Sequence, residues 1–208
     1  MAIEVDDLLK NWQNRNIRGF LLKSRDEVHE KLLKLVPEKA TIGFSGSMTL
    51  EQLEVIELLE SRNNKVFNQY NPNLGREESM DMRNKGATAD FFLCSANAIA
   101  RSGELVFLSA YGHRIAGIAN ARNVIIFAGT NKITADLPSA LKRAREFATP
   151  QNCKRLRWDT PCSKEGVCKS DICLFPEYKR MCCQLLVIEA EVNADRMKVL
   201  LIDEPLGF

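Results

Sequence analysis

The sequence TIGFSGSMTL at residues 41–50 decides how the whole chain is interpreted. Its first four residues form a continuous apolar run, which is typical of a buried strand, and a helical pattern begins at Leu50. Glycines between a strand and a helix let a ligand approach the backbone, and nearby N–H groups and hydroxyls suit a phosphate or a carboxylate. The candidate ligand-binding residues of this loop are therefore Gly43, Ser45, Gly46, Ser47 and Thr49. The alternative is a tight turn in which Ser47 or Thr49 only caps the helix.

The same alternation of apolar runs and helical patterns continues on both sides of this loop. Strands are predicted at residues 17–22, 65–67, 90–94, 123–127, 183–190 and 197–202, and helices at 5–12, 24–36, 50–60 and 137–147. This alternation predicts a three-layer α/β fold, in which a mostly parallel sheet carries helices on both faces. Ligands of such sheets bind beyond the carboxyl ends of the strands, so the loops at those ends are the candidate sites.

Two later strands also end in polar residues. Ser95 and Asn97 follow one of them, in a stretch of small side chains that leaves space above the sheet. Asn131 and Lys132 follow another, where a lysine can neutralise an anion. The alternatives are a turn that Asn97 merely stabilises and a lysine that only solvates the surface.

His113 and Arg114 form a further candidate pair. A guanidinium holds a carboxylate or a phosphate through two parallel hydrogen bonds, so Arg114 is included among the ligand-binding residues. An imidazole titrates near neutral pH and can transfer protons. The alternative for His113 is a structural or exposed role.

The composition argues against several classes of protein. A chain of 208 residues has room for one sizeable core, so we expect a single domain over residues 1–208 with an insert at 150–182. The net charge of +2 gives no basic excess that would favour nucleic acid as a partner. No segment approaches the roughly 18 apolar residues of a membrane span, and the first residues are acidic without an apolar signal core. We therefore expect a cytoplasmic protein with no membrane partner.

The insert is rich in cysteine, and its candidate metal ligands are Cys162, Cys168, Cys173 and Cys182. Four thiolates suit zinc or an iron–sulfur cluster, and a metal would replace the core that this segment lacks. The spacing matches neither a C-x2-C pair nor the ferredoxin pattern. Two alternatives stay open: a reversible redox disulfide, favoured by nearby lysines and arginines that stabilise thiolates, and free structural thiols.

Taken in chain order, these segments resemble the LUD domain family, whose name stands for lactate utilisation. The resemblance covers nearly the whole chain and rests on residues 41–50, 95–99, 103–106, 112–116, 129–133, 160–162 and 203–208. It implies a fold similar to the NagB/RpiA/CoA-transferase group, whose members bind phosphorylated sugars or CoA esters at strand ends. Asn97 stands where the related sugar-phosphate isomerases carry an acidic residue, so the obvious general base of an isomerase is missing.

The resemblance implies a protein that binds a small anionic metabolite and takes part in, or is accessory to, the oxidation of lactate or another organic acid. One alternative is a non-catalytic subunit that docks to an iron–sulfur partner protein through a metal- or redox-linked insert. Another is a sugar-phosphate isomerase or a CoA-transferase-like enzyme. The candidate cofactors are zinc and an iron–sulfur cluster, and the candidate assembly is a homodimer.

Overall fold

A computed structural model describes residues 5–208 and contains two sheets. The strands are β1 (Arg18–Leu22), β2 (Thr41–Phe44), β3 (Lys65–Val66), β4 (Phe91–Ser95), β5 (Ala98–Ala100), β6 (Leu105–Ser109), β7 (Asn123–Gly129), β8 (Ile133–Thr134), β9 (Gln184–Ile188) and β10 (Met197–Ile202). The main sheet has six parallel strands in the order β1-β10-β7-β4-β2-β3. This arrangement confirms the predicted α/β class and the mostly parallel sheet.

The second sheet was not predicted. Its order is β8-β5-β6-β9, and β6 pairs antiparallel with both β5 and β9. The strand predicted at residues 183–190 therefore belongs to this sheet and not to the main one. The apolar run at 183–190 predicted a buried strand, but β9 is an edge strand with no fully buried residue. Such a run also does not say which sheet a strand joins, so the sequence could not separate the two sheets.

The helices are α1 (Val5–Asn14), α2 (Arg25–Leu35), α3 (Met48–Gln52), α4 (Val55–Ser61), α5 (Arg76–Ala87), α6 (His113–Asn120), α7 (Leu137–Arg143), α8 (Thr149–Arg155) and α9 (Pro161–Glu165). A 3-10 turn spans Thr130–Lys132, and a π-helix at Ala144–Ala148 joins α7 to α8. Helices α2, α3 and α4 cover one face of the main sheet. Helices α1 and α6, together with the second sheet, cover the other, and α7 packs on the outer face of the second sheet.

Helix α5 was missed because its sequence has no apolar stripe. Of its twelve residues only Gly86 and Ala87 are buried. The helix is positioned instead by a close approach to the main sheet, where a Cβ on Gly43 would lie 2.0 Å from the Gly86 carbonyl oxygen. Gly43 thus permits helix–strand packing, which is a different use from ligand binding.

Two helix predictions had the wrong bounds. The helix predicted at 50–60 is divided into α3 and α4 by Glu54, whose φ of 51° is left-handed. The helix predicted at 137–147 continues through the π-helix into α8, so the first part of the insert is helical. Within residues 5–208, no helix combines the length and apolar character that a membrane crossing requires.

Candidate functional site

A cavity of about 560 Å³ opens at the carboxyl ends of β2, β4 and β7. These strands are neighbours in the main sheet, so their following loops meet at one edge. Eight of the ten predicted ligand-binding residues line this cavity: Ser45, Gly46, Ser47, Thr49, Ser95, Asn97, Arg114 and Lys132. The other two, Gly43 and Asn131, do not line it.

Lys132 is the most unusual residue of the cavity wall. It lies in the 3-10 turn after β7, and only 1% of it is exposed. Its Nζ donates hydrogen bonds to Ser95 Oγ at 2.7 Å and to Thr49 Oγ1 at 2.8 Å. Among residues 5–208, no carboxylate lies within 4.0 Å of this nitrogen. The structure therefore presents a buried amine that has hydroxyl partners and no counter-charge.

The surroundings of Lys132 disfavour its charged form. Burial lowers its pKa to about 7, and the positive charges of Arg143 and Arg114 act in the same direction. Desolvation costs a cation several kcal/mol unless an anion compensates for it, which explains the size of the effect. At neutral pH, protonated and neutral forms of this amine are both populated.

Arg114, in the first turn of α6, acts as a brace between loops. Its Nε donates to Ser45 Oγ at 3.1 Å, and one Nη donates to the Gly46 carbonyl oxygen at 3.0 Å. The other Nη donates to Asn97 Oδ1 and to the Leu108 carbonyl oxygen, each at 3.1 Å. Because these contacts engage four of the five N–H groups of a guanidinium, little donor capacity remains for a two-pronged grip on a ligand.

Several predicted residues have structural partners in this brace and its surroundings. Asn97 Oδ1 also accepts from the Leu108 N–H at 2.9 Å, and Arg143 donates to the Asn97 carbonyl oxygen at 2.6 Å. Ser47 is the N-cap of α3, because its Oγ accepts from the Leu50 N–H. The capping alternative thus describes Ser47, which also lines the cavity.

The segment at 206–208 covers the Lys132 side of the cavity. Asn131 holds it in place, since Asn131 Oδ1 accepts from the Leu206 N–H at 3.1 Å and its Nδ2 donates to the Gly207 carbonyl oxygen at 3.3 Å. A Cβ on Gly207 would lie 2.5 Å from Thr49 Oγ1 and 3.5 Å from Lys132 Nζ. Gly207 has a φ of 58°, so the position suits glycine for two independent reasons.

Aromatic and basic residues that sequence reasoning did not select complete the cavity wall. Tyr70 accepts a hydrogen bond from the Gly46 N–H at 2.6 Å, and Tyr111 stacks edge-on against Trp158 with ring centres 6.2 Å apart. Arg83, on α5, lies 5.8 Å from the Tyr111 ring, and its Nε is buried without a partner. No signal in the sequence could have found Arg83, because α5 itself was missed.

His113 also lines the cavity, and its chemistry differs from the prediction. Burial, followed by the charges of Arg83 and Arg114, lowers the pKa of His113 to about 4. The imidazole is therefore neutral near pH 7 and does not titrate there. Its Nδ1 is buried and has no hydrogen-bond partner within the described part of the chain.

A comparison with protein-family models identifies the family of this chain. A family model described as the LUD domain matches residues 5–202. The chain belongs to the LUD domain family. A search of curated proteins found no match to this LUD domain.

Two solved structures are similar to this LUD domain. A DUF162 family protein from Deinococcus radiodurans has 10% sequence identity and a TM-score of 0.51, and the match covers 95% of this chain and 94% of that one. Ribose 5 phosphate isomerase A from Neisseria gonorrhoeae has 15% identity and a TM-score of 0.34 over 56% of this chain and 57% of its own. The first likeness extends over nearly the full length and supports the shared fold.

The cysteine-rich segment of the LUD domain forms a second, much smaller cavity. It measures about 10 Å³, and its lining includes the thiols of Cys153, Cys162, Cys168, Cys173 and Cys182. All seven cysteines of the chain are free thiols. Burial raises the pKa of Cys153 to about 12. Burial, followed by the neighbouring thiols, also raises the pKa values of Cys168 and Cys173 despite the positive charge of Arg180. Over residues 5–208, no three His, Cys, Asp or Glu side chains are grouped in a way that could hold a metal ion.

Proposed function

We propose that this LUD domain binds a small anionic metabolite beside Lys132 and takes part in, or is accessory to, the cytoplasmic oxidation of lactate or another organic acid. The observation that carries the proposal is the buried Lys132 amine, which faces a 560 Å³ cavity without a carboxylate partner. A bound carboxylate or phosphate supplies the missing counter-charge and restores the ammonium form. Binding energy and proton uptake are therefore coupled at this residue.

The cavity is basic overall and larger than a three-carbon acid needs. Four basic side chains and two glutamates line it, and one of the glutamates, Glu51, is paired with Arg155 at 3.1 Å. Its volume lies within the usual range of roughly 300–1,000 Å³ for metabolite sites. We expect the acid group to bind beside Lys132 and any remaining part of the metabolite to extend toward Tyr111 and Trp158.

A thermal-shift series tests the proposal. L-lactate, pyruvate, ribose 5-phosphate and acetyl-CoA represent the candidate classes of anion. We expect at least one to raise the melting temperature of the wild-type protein, since a ligand at 100 times its Kd adds about 2.7 kcal/mol to the unfolding free energy. Lys132→Met should abolish that shift.

The matched control is Lys198→Met, because Lys198 is also buried but lies in β10, bonds to Asn123 and does not line the cavity. Its variant should keep the ligand-induced shift. The proposal fails if no anion stabilises the wild type, or if Lys132→Met responds as the wild type does. Arg114→Ala is not a suitable test of binding, since it removes the brace.

A second candidate function concerns the cysteine-rich segment. We propose that it docks the LUD domain, as a non-catalytic subunit, to an iron–sulfur partner protein. The observation in favour is a concentration of exposed apolar side chains at residues 167–175, where Val167 is 61%, Leu174 54% and Phe175 68% exposed. Clustered exposure of this kind marks interaction surfaces.

Anaerobic purification from the native cells tests the second candidate. We expect an iron–sulfur protein, identified by its visible spectrum and iron content, to co-purify with the wild type. It should be lost from a Leu174→Ser, Phe175→Ser double variant that keeps the wild-type melting temperature. A colourless, metal-free preparation without an iron–sulfur partner contradicts this candidate and leaves the metabolite site untouched.

A further inference from the structure

We propose that Lys132 captures the carbonyl group of a 2-oxo acid as an imine, which makes it a covalent ligand-binding residue. This inference rests on the proposed function, because it names the class of anion and the chemistry at the same site. Three features carry it: the partners of Nζ, the burial of the side chain and the cavity in front of it.

The partners of Lys132 leave its nitrogen available for reaction. A lysine that only stabilises structure is normally paired with a carboxylate, which keeps the amine protonated and unreactive. Here the two partners are the hydroxyls of Ser95 and Thr49, at 2.7 and 2.8 Å. A hydroxyl can accept a hydrogen bond from the ammonium form or donate one to the neutral amine, so either protonation state is satisfied.

Burial gives the amine a reactive form at neutral pH. The charged groups and thiols that act on Lys132 are Arg143, Arg114 and Cys94, and burial is the largest influence. With a pKa of about 7, a large share of Lys132 is neutral and nucleophilic, whereas an ordinary lysine with a pKa of about 10.4 is almost fully protonated. Desolvated lysines with this property are the ones that form Schiff bases.

The reaction balances with the groups present. Lys132 Nζ attacks the carbonyl carbon and forms an N–C bond, and the carbonyl π electrons move to oxygen. Ser95 and Thr49 are placed to carry the proton from nitrogen to that oxygen. The carbinolamine nitrogen then forms the C=N bond as the C–O bond breaks, and its second proton passes to the departing hydroxyl, which leaves as water. The net change is one amine plus one carbonyl giving one imine plus one water, with no oxidant or reductant.

The carboxylate of a 2-oxo acid suits this site better than a simple aldehyde. The protonated imine is a cation in the same buried place as the ammonium, and it needs an anion close by. In a 2-oxo acid the carboxylate is attached to the reacting carbon, so the ligand brings its own counter-charge. A hydroxy acid lacks the carbonyl and binds here without the covalent step.

Reductive trapping of the 208-residue protein tests the inference. Pyruvate, glyoxylate and the anionic aldehyde pyridoxal 5′-phosphate are the probes, each with cyanoborohydride at pH 7.5, followed by peptide mass spectrometry. We expect Lys132 to be modified at least about tenfold faster than any exposed lysine, because its neutral fraction is far larger. Lys198, which is buried outside the cavity, is the internal control and should stay unmodified.

The same experiments distinguish imine formation from simple binding of the anion. Lys132→Arg retains a cation but cannot form the imine, so it should lose trapping while anions still raise its melting temperature. Ligand-induced stabilisation of the wild type without an adduct on Lys132 from any probe overturns the imine and leaves the proposed function standing. The absence of both stabilisation and adduct overturns both.

Discussion

The Lys132 cavity and the cysteine-rich segment at 150–182 both gather reactive side chains, but they hold them in different ways. Ser95 ends β4 and Lys132 follows β7, and every residue of β4 and nearly all of β7 is buried. Parallel pairing sets Ser95 opposite Phe127, so the sheet itself fixes where the site residues stand. The cysteines instead lie on short helices and turns beside exposed apolar residues.

The side chains of the cavity are therefore preorganised for chemistry, whereas those of the cysteine-rich segment are not. At the cavity, a buried amine already has its hydroxyl partners at hydrogen-bond distance. In the cysteine-rich segment the thiols border one small cavity, yet within residues 5–208 they do not form a ligand set for a metal. We therefore expect substitutions to have large effects at the cavity and small ones in the segment.

The largest effect is expected for Arg114→Ala, because this change removes four hydrogen bonds, which join Arg114 to Ser45 Oγ, to Asn97 Oδ1 and to the carbonyl oxygens of Gly46 and Leu108. We expect the free energy of unfolding to fall by about 3 kcal/mol, measured by urea denaturation. The control is Arg122→Ala. The side chain of Arg122 is 81% exposed and forms only a surface ion pair with Asp90, so its loss should change stability very little. Equal effects of the two changes would refute the brace.

The pH dependence of stability is the next largest effect. Because the native pKa of Lys132 lies near 7, below its unfolded value, the unfolded chain binds an additional proton between about pH 7 and 10. Stability therefore rises with pH in this window. The unfolding free energy of the wild type relative to Lys132→Met should increase by about 2 kcal/mol from pH 7 to pH 9. A difference that is flat with pH would contradict the depressed pKa.

Gly207→Ala compares the two regions directly. The added Cβ would meet Thr49 Oγ1 at 2.5 Å and strain a left-handed residue, so we expect a loss of about 2 kcal/mol and weaker anion binding. Gly166→Ala, in the cysteine-rich segment, is the matched control, since its φ is also positive at 74° but nothing lies within 4 Å. It should cost only the backbone strain, about 1 kcal/mol. Calorimetry and the thermal-shift series measure both quantities.

The smallest effect is expected in the segment itself. Phe175 is 68% exposed, so Phe175→Ser should change the unfolding free energy by less than about 0.5 kcal/mol. A loss as large as that of Arg114→Ala would mean that the segment is packed as firmly as the sheet. Chemical denaturation decides between these outcomes.

The sequence predicted those features that are determined by residues close together along the chain. The loop at 41–50 was identified because a strand, glycines, hydroxyls and a helix follow one another within ten residues, and Lys132 because it follows a strand. The Arg114 brace could not be predicted from the sequence, because its partners are distant along the chain: Ser45 is 69 residues and Asn97 is 17 residues away from Arg114. The pKa values of Lys132 and His113 depend on burial, which no short motif encodes.

The family adds to this account without replacing it. Membership of the LUD domain family rests on a match over residues 5–202, which includes the loop at 41–50 and Lys132. The segment at 206–208, which covers Lys132 and supplies Gly207, lies beyond that match. Its role at the site follows from the contacts of this structure alone.

The central claim is that Lys132 has a buried amine without a counter-charge and that a bound anion supplies this charge. NMR titration of the Lys132 side-chain nitrogen tests it directly. The account predicts a midpoint near pH 7 in the free protein and a higher midpoint when L-lactate, which cannot form an imine, is bound. A midpoint near pH 10.4, which is the ordinary value for lysine, with no response to L-lactate would contradict it.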